Sequence, residues 1–328
     1  MGNIKKIIYG ILRYLVLAVI LGYGGWYAVL NYERFTTQAH FTCINITILI
    51  IFNVLTILCE SVRFRIQIRW LGHDVGMVRS WYLFGSLQAL NHLILKAGTF
   101  STGYYLSRRY NISFHSYVAF MMTYIIVFVL ASGLLGILIS IIFMLAGITV
   151  NILIPAFFSA IVLFALGFIG AAKIKISLKR FPKIISVFLR SITEIYTDYK
   201  LIGSLVLVEM LYYLLCTARF MTAVTMFGSH INLLDGIVVT TVGNFLRVAS
   251  IMPGGLGIAE FASGWTANIL GHEFGLSGLS AGLDRLVYVV LIIVVGCIGF
   301  FTMSGRKEFH QPTELKEDRS MSHAMEVE

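Results

Sequence analysis

The sequence predicts an all-α, polytopic integral membrane protein with two inverted-topology repeats, each carrying a broken re-entrant helix pair. Three observations predict it. Of 328 residues, 58% are hydrophobic and only 12% charged, with mean hydropathy +0.85; soluble domains carry about 25% charged residues. The basic residues gather in short segments between apolar runs, as the positive-inside rule expects. The stretch Asn244-Phe-Leu-Arg-Val-Ala-Ser-Ile-Met-Pro-Gly-Gly-Leu-Gly-Ile-Ala-Glu260 interrupts apolar helix-forming sequence with Pro253, Gly254, Gly255 and Gly257. Those residues remove a backbone donor and permit positive φ, so no helix passes straight through.

Apolar runs near 8–30, 41–60, 115–143, 148–171, 201–227 and 281–303 each approach the span requirement of about 20 residues. Two further runs, near 80–106 and 235–270, are interrupted, giving six full spans and two re-entrant elements. The first run follows Lys5 and Lys6, exceeds a signal-peptide core and has no clear small-x-small cleavage site, so it reads as a retained span. Lys5, Lys6 and Arg13 place the N-terminus in the cytoplasm. Arg63, Arg65, Arg69 and Arg79, then Arg108 and Arg109, then Lys173 to Arg190, and finally Arg306 and Lys307 all fall on the same side only if both interrupted runs re-enter. The linkers 61–80 and 172–198 read as basic, partly amphipathic segments on an anionic leaflet or, equally, as plain topogenic clusters. One transmembrane domain spans 1–304, with repeats at about 41–143 and 201–303. The mixed-charge tail 305–328 reads as disordered and cytoplasmic.

The first repeat enters its broken element from the cytoplasm and the second from outside. Asn91-His-Leu-Ile-Leu-Lys-Ala-Gly-Thr-Phe-Ser-Thr-Gly103 mirrors the later stretch: an Asn, an apolar turn, a cation, then glycines. Inverted repeats with broken helices are the architecture of alternating-access transporters with a site near the midplane. Half-helices resuming after Gly257 and after Gly103 would point N–H groups and about half a positive charge at the breaks, favouring a phosphate or carboxylate. The plain alternative for the second stretch is a Pro/Gly loop at the membrane surface.

Arg247 and Lys96 are the cations beside the breaks, and charges at membrane depth require a reason. Glu260, one turn into its half-helix, would cap that helix or pair with Arg247, or bear on substrate or protons. Glu209 lies inside an apolar span, where a carboxylate is a functional candidate, with Arg219 as a neutralising alternative. Asp284-Arg285 opens the last span and reads equally as an interfacial pair. Trp81-Tyr82 and Tyr104-Tyr105 read as interfacial anchors. Cys43, Cys59, Cys216 and Cys297 all lie in apolar segments without CxxC, so they read as small core residues. The eight histidines form no HxxxH or HExxH, and there is no GxSxG or Walker-type loop, so neither metal, cofactor nor enzymatic chemistry is expected. The net charge of +9 is topogenic and does not indicate nucleic-acid binding.

Ser250-x-x-Pro-Gly-Gly-Leu-Gly-Ile-Ala-Glu260, followed by Asp284-Arg285-Leu-x-Tyr288, resembles the C-terminal signature of the lysylphosphatidylglycerol synthase transmembrane (flippase-like) family. Asn91, then Lys96-Ala-Gly-Thr99 and Tyr105-Leu-Ser-Arg-Arg, is similar to its N-terminal signature, although Leu95 and Thr102 stand where many members have proline and arginine. The resemblance covers roughly residues 5–305. It implies the membrane domain without the soluble synthase domain, and a translocase in the cell membrane for aminoacylated phosphatidylglycerol or polyprenyl-phosphate-linked lipids. On this reading the substrate-binding candidates are Asn91, Lys96, Thr99, Glu209, Asn244, Arg247, Ser250, Gly254, Gly255, Gly257, Glu260 and Arg285. The partners are membrane lipids, and a homo-oligomer or a lipid-modifying enzyme is compatible. The alternatives are an ion-coupled transporter of a small anion and, ranked last, an intramembrane polyprenyl-diphosphate phosphatase, whose Pro-Gly-x-Ser-Arg-Ser-Gly pattern is absent.

Overall fold

Why the apolar runs become helices follows from the solvent: in lipid, each backbone N–H and C=O must be satisfied within the segment. The computed structural model describes residues 41–94, 96–173, 193–250 and 253–304. The expected first span, most of the 172–198 linker and the tail lie outside the described residues. Among the described residues, five helices are long and apolar enough to cross a membrane. They are α1 (Cys43–Trp70), α4 (Phe114–Leu145), α5 (Leu153–Lys173), α6 (Tyr199–Met226) and α9 (Phe274–Ser304). Between them lie shorter helices α2 (Met77–Leu93), α3 (Ala97–Tyr110), α7 (Leu233–Ala249) and α8 (Ile258–Ile269).

Side-chain caps start the long helices. The side chains of Thr42, Ser113 and Asp198 accept the N–H groups of Asn45, Ser116 and Leu201 at 3.2, 3.1 and 3.0 Å. Several hydroxyls within the helices bond back one turn, as Thr56 does to Phe52, Ser61 to Ile57 and Thr217 to Tyr213, so these bring no unmet donor into the interior. Large apolar residues such as Ile44, Leu163, Phe164, Leu207 and Phe301 face outward, while Glu60, Arg63, Glu209 and Arg219 are buried. That reversal suits a chain whose solvent is hydrocarbon.

α2 has 17 residues, α3 14, α7 17 and α8 12. Each falls short of the roughly 20 needed to span alone. The order long, short, break, short, long therefore occurs twice, as α1–α4 and α6–α9, with α5 between. The first break sits at 94–96, where Ile94 is extended and Lys96 is left-handed at φ 55°. The expected half-helix start after Gly103 is thus corrected: Gly98 and Gly103 lie inside α3, and Gly98 lets α3 close onto the Leu87 backbone of α2. The two halves interlock. α9 packs along α2 and α1 along α6. A Cβ on Gly85 of α2 would stand 2.6 Å from Val295 of α9, and Ser86 donates to the Gly296 carbonyl at 3.2 Å, the close approach that small residues allow in membrane bundles.

α1 runs to Trp70 and so absorbs much of the expected basic linker. Arg63, expected beside the leaflet, is only 5% exposed. Arg65 does face outward and donates to both oxygens of Asp74 at 3.0 and 2.9 Å, in the turn joining α1 to α2. Those bonds, with the Gly76 N–H at 3.0 Å, hold the Asp74 carboxyl down at about 2.

Candidate functional site

At the second break α7 ends on Ser250 in extended backbone, and Pro253–Gly255 forms a single tight turn. Gly254, Gly255 and Gly257 have φ of 59°, 71° and 82°, conformations L side chains resist. Two of these glycines are also required by space. A Cβ on Gly255 would lie 2.9 Å from the Cα of Arg247, and one on Gly254 would collide with the His92 ring of α2. The residue of the first break that meets the second is therefore His92, which the sequence reading did not single out.

The free ends of the break are tied internally. The Gly257 N–H donates to Glu260 Oε2 at 2.7 Å, so the N-terminus of α8 already holds a carboxylate from its own first turn. Glu260 Oε1 pairs with Arg285 at 3.0 Å, and Arg285 donates to the Gly254 and Gly255 carbonyls. This corrects two expectations. Glu260 pairs with Arg285 and not with Arg247, and Asp284-Arg285 is no interfacial pair, because each residue has a separate partner in the interior. Arg219 holds Asp284 through two bonds of 2.8 and 2.7 Å, and Asn53 donates to the same carboxylate at 3.3 Å.

Glu209 is likewise not neutralised by Arg219. Its partner is Arg63 at 2.7 Å. Arg63 also donates to the Tyr124 hydroxyl at 2.8 Å and lies 3.7 Å from Glu60, whose other oxygen accepts from Tyr288 at 2.7 Å. The sequence does not single out Glu60, and it presents Arg63 as topogenic. The available signal was their i,i+3 spacing at the end of an apolar run long enough to continue as helix.

Arg247 differs from these. Its guanidinium donates to the Tyr212 hydroxyl at 2.7 Å, and no described carboxylate lies within ion-pair distance of it. It faces a small cavity of about 70 Å³ lined by Arg219, Asn244, Arg247, Glu260, Arg285 and Tyr288, among others. The structure thus gathers Asn244, Arg247, Glu260 and Arg285 at the cavity, with Gly254, Gly255 and Gly257 forming the break beside it. Asn91 and Thr99 bond to each other across the first break, the Asn91 carbonyl oxygen accepting the Thr99 N–H at 3.2 Å, which fastens α3 to α2. Lys96 is exposed and does not line the cavity. Among the described residues no three His, Cys, Asp or Glu side chains are grouped to hold a metal.

Paired charges inside an apolar bundle, with two helices broken where they meet, define a polytopic membrane protein whose interior is built to handle charge. More narrowly, the chain belongs to the family described as the lysylphosphatidylglycerol synthase TM region, whose family model matches residues 10–296. Membership connects it with membrane-lipid function. No curated protein matches the chain.

Proposed function

We propose that the protein is a lipid translocase that moves an anionic or aminoacylated phospholipid, or a polyprenyl-phosphate-linked lipid, across the cell membrane without chemical change. The observation that carries this reading is Arg247: a cavity-facing guanidinium with a phenol for a partner and no carboxylate. A partly buried cation with no carboxylate at ion-pair distance among the described residues is incompletely compensated, and a phosphate oxygen entering the cavity would supply charge-assisted hydrogen bonds. Asn244, one turn earlier on α7, adds an amide to the same wall. The three buried arginines among the described residues are committed to Glu209, Asp284 and Glu260. In this reading both broken helix pairs re-enter the membrane in inverted repeats. Both termini lie in the cytoplasm, and the headgroup crosses at the joint between the breaks.

The test is headgroup translocation in proteoliposomes, with labelled phosphatidylglycerol, aminoacylated phosphatidylglycerol and a polyprenyl phosphate compared side by side. Charge-assisted bonds of about 1.5–3 kcal/mol set the expectation that Arg247→Ala lowers headgroup affinity about 10- to 100-fold while leaving insertion intact. Flipping that persists unchanged in Arg247→Ala refutes the assignment. Uptake of a soluble anion with no lipid flipping would make the protein a secondary transporter.

A further inference from the structure

The mechanism above leaves one buried carboxylate unexplained. Glu209 is 0% exposed, its Oε1 is held by Arg63, and its Oε2 has no hydrogen-bond partner. Arg63 is shared, because Glu60 lies 3.7 Å from the same guanidinium. Glu60 has a donor of its own in the Tyr288 hydroxyl at 2.7 Å, whereas Glu209 has only Arg63 among the described residues. A buried acceptor without a donor is costly, and an added proton removes the carboxylate charge that makes it so.

The charge balance of the interior says when that proton arrives. Among the described residues, the cations of this interior are the buried Arg63, Arg219 and Arg285 and the partly buried Arg247, and the carboxylates facing them are Glu60, Glu209, Glu260 and Asp284, four against four, summing to zero. An anion seated on Arg247 takes the sum to minus one. An unbalanced charge in a low-dielectric interior is expensive, and protonating one carboxylate restores neutrality. Glu260 and Asp284 have both oxygens engaged, and Glu60 has the Tyr288 hydroxyl on one oxygen and the Arg63 guanidinium 3.7 Å from the other. Glu209 alone of the four keeps an oxygen unpartnered.

We propose that Glu209 is a proton-binding site coupled to the anion site, taking one proton from solvent onto Oε2 as an anionic headgroup binds at Arg247. The proposal rests on the reading of Arg247 as the anion site. The two sites are linked through α6, where Tyr212, which holds Arg247, is three residues from Glu209. The charged and titratable groups around Glu209 are few. α1 presents Cys59, Glu60 and Arg63, and α4 presents Tyr124. α6 itself adds Tyr212, Tyr213 and Cys216, α7 adds Arg247, and α9 adds Tyr288 beside Glu60. Thiols and phenols are neutral at about pH 6–8 and guanidinium is charged throughout, so the carboxylates are left to respond.

The experiment is calorimetry of the full chain in phosphatidylcholine nanodiscs, titrated with dihexanoyl phosphatidylglycerol in buffers of different ionisation enthalpy. This phosphodiester keeps a constant charge over the range used. Wild type should take up about one proton per lipid bound, and its affinity should rise toward tenfold for each unit the pH falls. Glu209→Gln, which imitates the neutral carboxyl, should bind without proton uptake, and Glu60→Gln should keep the uptake. Wild type that binds the lipid with no proton taken up overturns the proposal, whether or not the variants fold, as does unchanged uptake in Glu209→Gln. No binding by wild type, or equal binding by Arg247→Ala, removes the anion site itself and the coupling with it.

Discussion

Replacing Arg285 with methionine removes one side chain that serves three acceptors: Glu260 Oε1 at 3.0 Å and the carbonyls of Gly254 and Gly255. The two charged side chains are 10% and 18% exposed, so water offers little compensation. Deleting one partner of such a buried pair costs about 3–5 kcal/mol, because the other charge is left alone. In the double variant Arg285→Met with Glu260→Gln that charge is gone, and the glutamine carbonyl still reaches the Gly257 N–H. What remains is the loss at the two glycine carbonyls, about 1–3 kcal/mol. The double variant should therefore be more stable than Arg285→Met alone by about 1–3 kcal/mol, the coupling expected of residues in contact. Reversible unfolding in mixed micelles, followed by circular dichroism, measures all four corners of the cycle. A double variant no more stable than Arg285→Met would refute the view that Glu260 is anchored by Arg285. Stability restored instead by pairing Glu260→Gln with Arg247→Ala would refute it equally.

Two further perturbations probe the break and the turn. Gly255→Ala would place a Cβ 2.9 Å from the Arg247 Cα at φ 71°, so it should cost about 1–3 kcal/mol and weaken phosphatidylglycerol binding by displacing Arg247; unchanged binding in the nanodisc titration would count against the packing described. The Asp74 staple should hold at neutral pH and loosen in acid. Its carboxyl is depressed to about 2 in the folded chain, so its contribution is complete above the ordinary carboxylate range and lost as pH falls through about 2. The hydrogen-exchange protection factors of residues 71–76, corrected for the intrinsic rate at each pH, should fall on acidification in wild type and be insensitive to it in Asp74→Asn.

Much of the architecture was legible because the bilayer imposes it. The runs near 115–143 and 201–227 match α4 and α6 closely, since length and apolarity alone define a span. The second break was legible because proline and clustered glycines state their backbone consequences locally. The first is not placed by sequence because Ile94-Leu95-Lys96 carries no such residue, although Lys96 takes a left-handed conformation there. Ion pairs were the least legible. Arg63 and Glu209 are 146 positions apart and Arg219 and Asp284 are 65 apart, so no local spacing relates them. In sequence Arg63 reads as topogenic, because a basic residue after an apolar run ordinarily is. Its burial is evident only once α1 lies against α6.

The crossing of α2 by α9, closed at Gly85 and Gly296, has a mechanical consequence. A helix from each half of the chain is clasped by the other half, with α1 on α6 completing the exchange. Halves interleaved in this way act as one frame, and they cannot swing past each other as two rigid bodies without prising open both crossings. Between the α7 and α8 arms lies the Pro253–Gly255 turn, where the continuity of the helix is already interrupted. Arg285, bound to Glu260 and to the Gly254 and Gly255 carbonyls, fastens that turn to α9, so the break is itself tied into the frame.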